Sequence, residues 1–206
     1  MEEENNKPAE PKESPSVMVK AEPTKKADKG PFKWTWKSFF FSFAWLGVLL
    51  FGLDLLSKWL IVWNLGFSGA KYAVIPGFFY IWPLTNQGAA YGAGAEVPGM
   101  RYFYIVISWL ASVAIPYFWY KGLKNHDNLI NCVFSLCFAG ALGNAIDRTF
   151  YWPNTTGFSG VVDFLSFQFG DSAPFGSFNV ADSCLVVGCI MAAITLLVRA
   201  VKEKKE

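Results

Sequence analysis

Four long apolar stretches constrain this chain more than any other feature of its sequence. Each is about as long as the roughly 20 apolar residues that a helix needs to cross a lipid bilayer. The stretches run from about Trp36 to Trp63, Tyr102 to Tyr120, Asn128 to Phe150 and Asn179 to Val198. We therefore predict an all-α membrane protein with four transmembrane helices.

The composition agrees with this prediction. The 206 residues are 53% hydrophobic and 17% charged, whereas soluble domains have about 25% charged residues. The net charge of +2 is too small to indicate a polyanionic partner. These values argue against a soluble enzyme, a disordered chain and a nucleic-acid-binding protein.

The distribution of charge divides the chain into three segments. Residues 1–35 are rich in Glu, Lys, Pro and Ala and contain few large apolar residues. Such a segment buries too little apolar surface to offset its chain entropy, so we predict a disordered cytoplasmic tail. Residues 36–200 form the predicted four-span domain, and residues 201–206 form a short cytoplasmic tail.

Lysine and arginine predict the orientation of the spans. They are frequent before the first stretch, between the second and third, and after the fourth, but rare in residues 64–101 and 151–178. The positive-inside rule then predicts that both termini are cytoplasmic and that these two long connections lie on the outer face. Residues 72–91 have the aromatic, β-branched, Pro and Gly content of short strands. Residues 161–169 read either as a strand or as an interfacial segment.

Polar side chains lie within or near the ends of the apolar stretches, although a charge at the bilayer centre costs roughly 2.5–3.5 kcal/mol. In the predicted orientation they gather at the outer boundary. Asp54 and Lys58 are four residues apart and can pair along one helix. The others are Asn144, Asp147, Arg148, Asn179 and Asp182, with Asp163 in the adjoining connection.

Asp163 and Asp182 have no cation close in the sequence, which favours a catalytic role over a structural one. When two carboxylates lie close together, one pKa rises and the pair shares a proton. One carboxylate then acts as a base toward water, and the other acts as an acid toward a carbonyl oxygen. This chemistry requires no metal and no cofactor, and we predict none.

The four cysteines give no sign of a metal site. Cys132, Cys137, Cys184 and Cys189 lie in the third and fourth stretches, and no CxxC or Cys/His pattern occurs. We predict small buried apolar side chains, with a disulfide between the two stretches as the alternative.

Five short motifs resemble, in their order and in their places relative to the spans, those of the signal peptidase II family, the bacterial lipoprotein signal peptidases. The resemblance extends over about residues 36–200. The motifs are Asp54-Leu-Leu-Ser-Lys58, Asn86-Gln-Gly-Ala-Ala-Tyr91, Gly143-Asn-Ala-Ile-Asp-Arg148, Gly160-Val-Val-Asp-Phe164 and Phe178-Asn-Val-Ala-Asp182.

The resemblance implies a fold and an activity. The fold has four transmembrane helices, a small extracytoplasmic β-sheet called the cradle, and an interfacial segment. Family members are aspartic endopeptidases of the bacterial cytoplasmic membrane. They remove signal peptides from prolipoproteins by cleaving on the amino side of a diacylglyceryl-modified cysteine. We therefore expect prolipoprotein substrates and membrane lipid as partners, a monomer, and an active site near the outer face.

The resemblance also implies roles for individual residues. Asp163 and Asp182 match the catalytic pair. Asp54 matches a supporting acid, and Asp147 is expected to be a structural partner and the weaker catalytic candidate. The polar residues that line the family's substrate site are matched by Asn86, Asn144, Arg148 and Asn179.

The sequence departs from the family pattern in two places. The loop at residues 149–160 is longer than expected and is predicted to affect substrate access or lipid preference. Tyr91 stands where family members usually have Phe.

Two alternatives from other classes stay open at this point. Intramembrane acids also serve proton-coupled transporters, and polar clusters can join the subunits of a membrane assembly. The transporter is disfavoured because the acids gather on one side of the membrane and no inverted repeat is visible.

Overall fold

Four long helices form the membrane-spanning part of the protein. The computed structural model describes residues 35–123, 128–150, 160–170 and 175–204. Within these residues, four helices are long and apolar enough to cross a membrane, which confirms the predicted fold class. The short helix α1 (Trp36–Phe41) comes first and is followed by α2 (Ala44–Asn64), α3 (Met100–Leu123), α4 (Asn128–Thr149) and α5 (Val180–Glu203).

The first apolar stretch is divided, which differs from the predicted single span. Phe43 has a left-handed φ of 59°, a conformation that costs a non-glycine residue about 1–2 kcal/mol. Ser135 of α4 holds this residue, because its Oγ donates to the carbonyl oxygen of Phe43 at 2.8 Å. The apolar pattern continues across the break and so gives no sign of it.

Helix α4 contacts α2, α3 and α5 and is the most buried of the spans. Within its apolar window 56% of the residues are buried inside the protein, against 11–22% in the other three helices. Two glycines permit this position. A Cβ at Gly140 would collide with the carbonyl oxygen of Ala181, and one at Gly143 would collide with the carboxylate of Asp54. Small residues therefore allow a close approach of α4 to α2 and α5.

A four-stranded antiparallel sheet has the order β1-β2-β3-β4. The strands confirm the predicted extended structure in residues 72–91 and show that residues 161–169 contain a strand. Leu84 pairs with Asp163 and Asn86 pairs with Val161, so the sheet brings two of the five motifs side by side. The strands are β1 (Tyr72–Ile75), β2 (Phe79–Asn86), β3 (Val161–Phe167) and β4 (Ser177–Phe178).

The two predicted tails and the long loop are only partly covered by the described residues. Helix α5 continues to Glu203, so the tail predicted at residues 201–206 begins inside a helix. Residues 1–34 of the predicted N-terminal tail and residues 151–159 of the long loop lie outside the described residues.

The four cysteines are free thiols, and no disulfide joins the third and fourth spans. The prediction of full burial is right for Cys184 only. Cys132 and Cys137 of α4 are half-buried. Cys189 is exposed, because α5 turns much of its apolar surface away from the other helices.

Candidate active site

One asparagine joins the two segments that carry the predicted catalytic carboxylates. Asp163 lies in β3 and is 3% exposed, and Asp182 lies in the first turn of α5. The Nδ2 of Asn179 donates to Oδ1 of Asp163 at 2.8 Å, and the backbone N–H of Asp182 donates to Oδ1 of Asn179 at 2.8 Å. Asn179 therefore holds the strand and the helix that carry the two acids.

Asn179 occupies this position because it is the N-cap of α5. An N-cap side chain accepts a hydrogen bond from the backbone of the third helical residue, which here is Asp182. In return, the backbone N–H of Asn179 donates to Oδ2 of Asp182 at 3.2 Å, which completes a capping box. An asparagine followed three residues later by an acid is a sequence signal for this cap.

Asn144 of α4 forms a second bridge. Its Nδ2 donates to Oδ1 of Asp182 at 2.8 Å. Its own Oδ1 accepts from Nδ2 of Asn179 at 3.2 Å and from Nζ of Lys58 at 3.3 Å. Asn144 is 5% exposed and Asn179 is fully buried. Both amides are thus buried against the carboxylates, and their predicted contact with substrate stays a prediction.

A buried ion cluster lies beside these amides. The Nζ of Lys58 is 2.7 Å from Oδ2 of Asp54, which confirms the predicted pair, and 2.8 Å from Oδ2 of Asp147. All three side chains are at most 1% exposed. The contacts of Lys58 with α4 were not predicted, because 86 positions separate Lys58 from Asn144 and no local pattern joins them.

Two carboxylates of this cluster bind the backbone next to the catalytic candidates. The N–H of Val162, which precedes Asp163, donates to Oδ2 of Asp147 at 3.1 Å. The N–H of Ala181, which precedes Asp182, donates to Oδ1 of Asp54 at 2.8 Å. Asp54 and Asp147 therefore anchor the two segments that carry the acids, and their supporting roles in the reaction stay a prediction.

Arg148 and Asn86 organise the loop that follows β2. Arg148 donates from its NH2 group to the carbonyl oxygen of Gly88 at 3.3 Å. The N–H of Gly88 donates to Oδ1 of Asn86 at 3.0 Å, and the Asn86 side chain also hydrogen-bonds the carboxylate of Asp163. The loop is thus tied both to α4 and to the candidate acid.

A groove of about 690 Å³ opens beside Asp163. Its walls come from the end of β2, the loop after it and the residues before and within β4. Asn86, Phe175 and Ser177 contribute to these walls. An extended peptide in the groove would therefore pass the Asp163 carboxyl group.

Burial and the charge of Asp182 raise the pKa of Asp163 to about 8. The hydrogen bonds from Asn86 and Asn179 and the charge of Lys58 act in the opposite direction. Since desolvation disfavours the charged form, Asp163 keeps its proton at neutral pH. A protonated acid close to a second carboxylate is a combination that acid–base hydrolysis can use.

Comparisons with known proteins agree on one family. A family model described as "Signal peptidase (SPase) II" matches residues 46–198. The lipoprotein signal peptidase of Bacillus pumilus is 41% identical over 154 residues, which cover 74% of this chain and 90% of that protein. The lipoprotein signal peptidase of Enterococcus faecalis is 39% identical over 162 residues, covering 78% and 91%.

A solved structure has the same fold. It is titled "Bacterial membrane enzyme structure by the in meso method at 2.3 A resolution" and superposes with a TM-score of 0.64 at 32% identity. The match covers 82% of this chain and 93% of that one.

Proposed function

This chain belongs to the signal peptidase II family, and from that membership we propose that it is an aspartic endopeptidase that removes signal peptides from prolipoproteins. Its four apolar helices and bacterial relatives make it a multi-pass bacterial membrane protein. The observation that carries the aspartic assignment is the joining of Asp163 and Asp182 by Asn179 next to an open groove.

The two acids divide the hydrolysis between them. Asp182, as the carboxylate, accepts a proton from a water molecule, and that water attacks the carbonyl carbon of the scissile peptide bond. Asp163, which holds its proton at neutral pH, donates it to the carbonyl oxygen. Collapse of the tetrahedral intermediate breaks the C–N bond, the proton held by Asp182 passes to the leaving amine, and the proton on the former carbonyl oxygen returns to Asp163. The products are a carboxylate on the signal peptide and a free amino group on the cysteine.

The proposed substrate has a diacylglyceryl group on the cysteine that follows the scissile bond. A signal peptide and two acyl chains are both held by the bilayer, so they present the bond near the membrane surface. The ion cluster and the acids lie at one end of the bundle, since Lys58 is in the second half of α2, Asp147 is near the end of α4 and Asp182 is near the start of α5. We assign this end to the outer face of the cytoplasmic membrane, with cytoplasmic termini.

The confinement of the charges to one end also argues against a proton-coupled transporter. A proton relay needs titratable groups along a path through the membrane. In the described part of the chain, the buried charged side chains are Asp54, Lys58, Asp147 and Asp163, and they lie in the ion cluster or are joined to it through Asn144 and Asn179.

A cleavage assay tests the proposed function. Purified protein in detergent is mixed with a diacylglyceryl-modified prolipoprotein or with the same protein carrying an unmodified cysteine. We expect release of the signal peptide, with a new amino terminus at the modified cysteine, and at least ~100-fold slower cleavage of the unmodified protein. Equal rates on both, or cleavage elsewhere, would contradict the proposed specificity.

The activity is expected to decline as the pH rises above about 8. Above the pKa of Asp163, which is about 8, this residue loses its proton, and the pair then has two bases and no acid. The measurement is kcat/KM between about pH 5 and pH 10, with samples returned to pH 7 to show that the loss reverses. A profile that stays level to pH 10 would exclude Asp163 as the acid.

A further inference from the structure

Lys58 is fully buried, and its ammonium group contacts three oxygen atoms that belong to two helices. The chemical steps proposed above assign it no role. A local salt bridge with Asp54 would account for only one of its three contacts. The other two lead to Asp147 and Asn144, and each of these residues touches a segment that carries a catalytic candidate.

The contact with Asn144 determines which way that amide faces. An ammonium group only donates hydrogen bonds, so the amide atom facing Lys58 must be the oxygen. The nitrogen then faces Asp182, where it donates at 2.8 Å. A rotated amide would set two donors against each other at Lys58 and two acceptors against each other at Asp182. Nδ2 of Asn179 supports the same orientation, because it also donates to Oδ1 of Asn144.

We infer that Lys58 is a positioning residue for the reaction, because it fixes the Asn144 amide that hydrogen-bonds Asp182 and forms ion pairs with the two carboxylates that anchor Val162 and Ala181. This inference rests on the proposed peptidase function. Lys58 acts through Asn144, Asp54 and Asp147, and it touches no reacting atom.

The charges of the cluster suggest a matched pair of variants. Asp54, Lys58 and Asp147 together carry one net negative charge when all are ionised. Lys58→Met alone leaves two buried carboxylates without a cation, which destabilises a fold strongly. The double variant Lys58→Met/Asp147→Asn keeps one net negative charge, and an asparagine oxygen can still accept from Val162. This double variant therefore removes the donor to Asn144 without adding buried charge.

The test compares the double variant with the Asp147→Asn single variant. We expect both to remain folded, but the double variant to have the lower thermal midpoint, because its Asp54 carboxylate is buried without a cation. The double variant is also expected to have a kcat about 100-fold below the single variant. KM is expected to change less than about threefold, because Lys58 does not touch the groove. A kcat within about threefold of the single variant would overturn the inference and leave Lys58 with only a charge-balancing role.

A double-mutant cycle separates this inference from simple destabilisation. In an Asn144→Ala background, adding Lys58→Met/Asp147→Asn is expected to lower kcat no further than Asp147→Asn does alone. A full additional 100-fold loss would show that Lys58 does not act through Asn144. If the wild-type protein cleaves no diacylglyceryl-modified prolipoprotein, the proposed function fails. An active wild type with an unaffected double variant contradicts only the inference about Lys58.

Discussion

Replacing Asp163 by asparagine is expected to reduce signal-peptide cleavage by about 10³-fold or more while the protein stays folded. The carboxyl group is the proton donor of the proposed reaction, and an amide cannot supply that proton. Asparagine has nearly the same shape, and its oxygen can accept the hydrogen bond that Asn179 donates to Oδ1 of Asp163. The loss is therefore expected in kcat, with a smaller effect on KM.

The measurement is the rate of signal-peptide release from a diacylglyceryl-modified prolipoprotein, read by the gel shift of the product. Glu96→Gln is the matched control, since it also exchanges an acid for its amide, but at an exposed position. That variant is expected to have the wild-type rate. If Asp163→Asn keeps more than about a tenth of the wild-type rate, Asp163 is not the acid. Asp147 would then be the next candidate.

Replacing Gly143 by alanine is expected to destabilise the protein by about 3 kcal/mol and to remove most of its activity. The added Cβ would collide with Oδ2 of Asp54 and would lie 3.1 Å from Cβ of Ala181. Neither neighbour can move freely. Asp54 is bound to Lys58, and the backbone of Ala181 is bound to Asp54. The collision would therefore spread to the start of α5, where Asp182 lies.

Gly52→Ala is the matched control, because Gly52 also lies within a spanning helix but has nothing within 4 Å of its added Cβ. Alanine favours helix over glycine by about 1 kcal/mol, so this variant is expected to be as stable as the wild type or slightly more stable. Thermal unfolding in detergent, together with the cleavage rate, compares the two substitutions. Equal stability of the Gly143 and Gly52 variants would contradict the close approach of α4 and α2.

The spans and the convergence of the polar residues could be predicted because both depend on local properties. The length of an apolar stretch predicts a span, and the arrangement of lysines predicts an orientation that brings distant acids to one face. The partners of each side chain could not be predicted in this way. Whether Asn144 supports an acid or touches substrate depends on burial, and burial depends on how α2, α4 and α5 pack.

The break at Phe43 and the contact of Lys58 with a second carboxylate could not be predicted for the same reason, because both depend on contacts between distant parts of the chain. The left-handed Phe43 is held by Ser135, which is 92 positions away. The local spacing of Asp54 and Lys58 suffices for one salt bridge, and so it conceals the contact with Asp147. Asn179 is different, because the asparagine-to-acid spacing of its capping box is a local signal.

The double use of Asn179, as the cap of α5 and as the link between the two acids, has a consequence during biosynthesis. A ribosome makes the strand that carries Asp163 before it makes the final helix, so an unfinished chain holds one acid without the other. Asn179 and Asp182 lie at the same end of α5, so the contact with the strand and the second acid both depend on that helix. The proposed pair of acids is therefore incomplete in the nascent chain until α5 has been made.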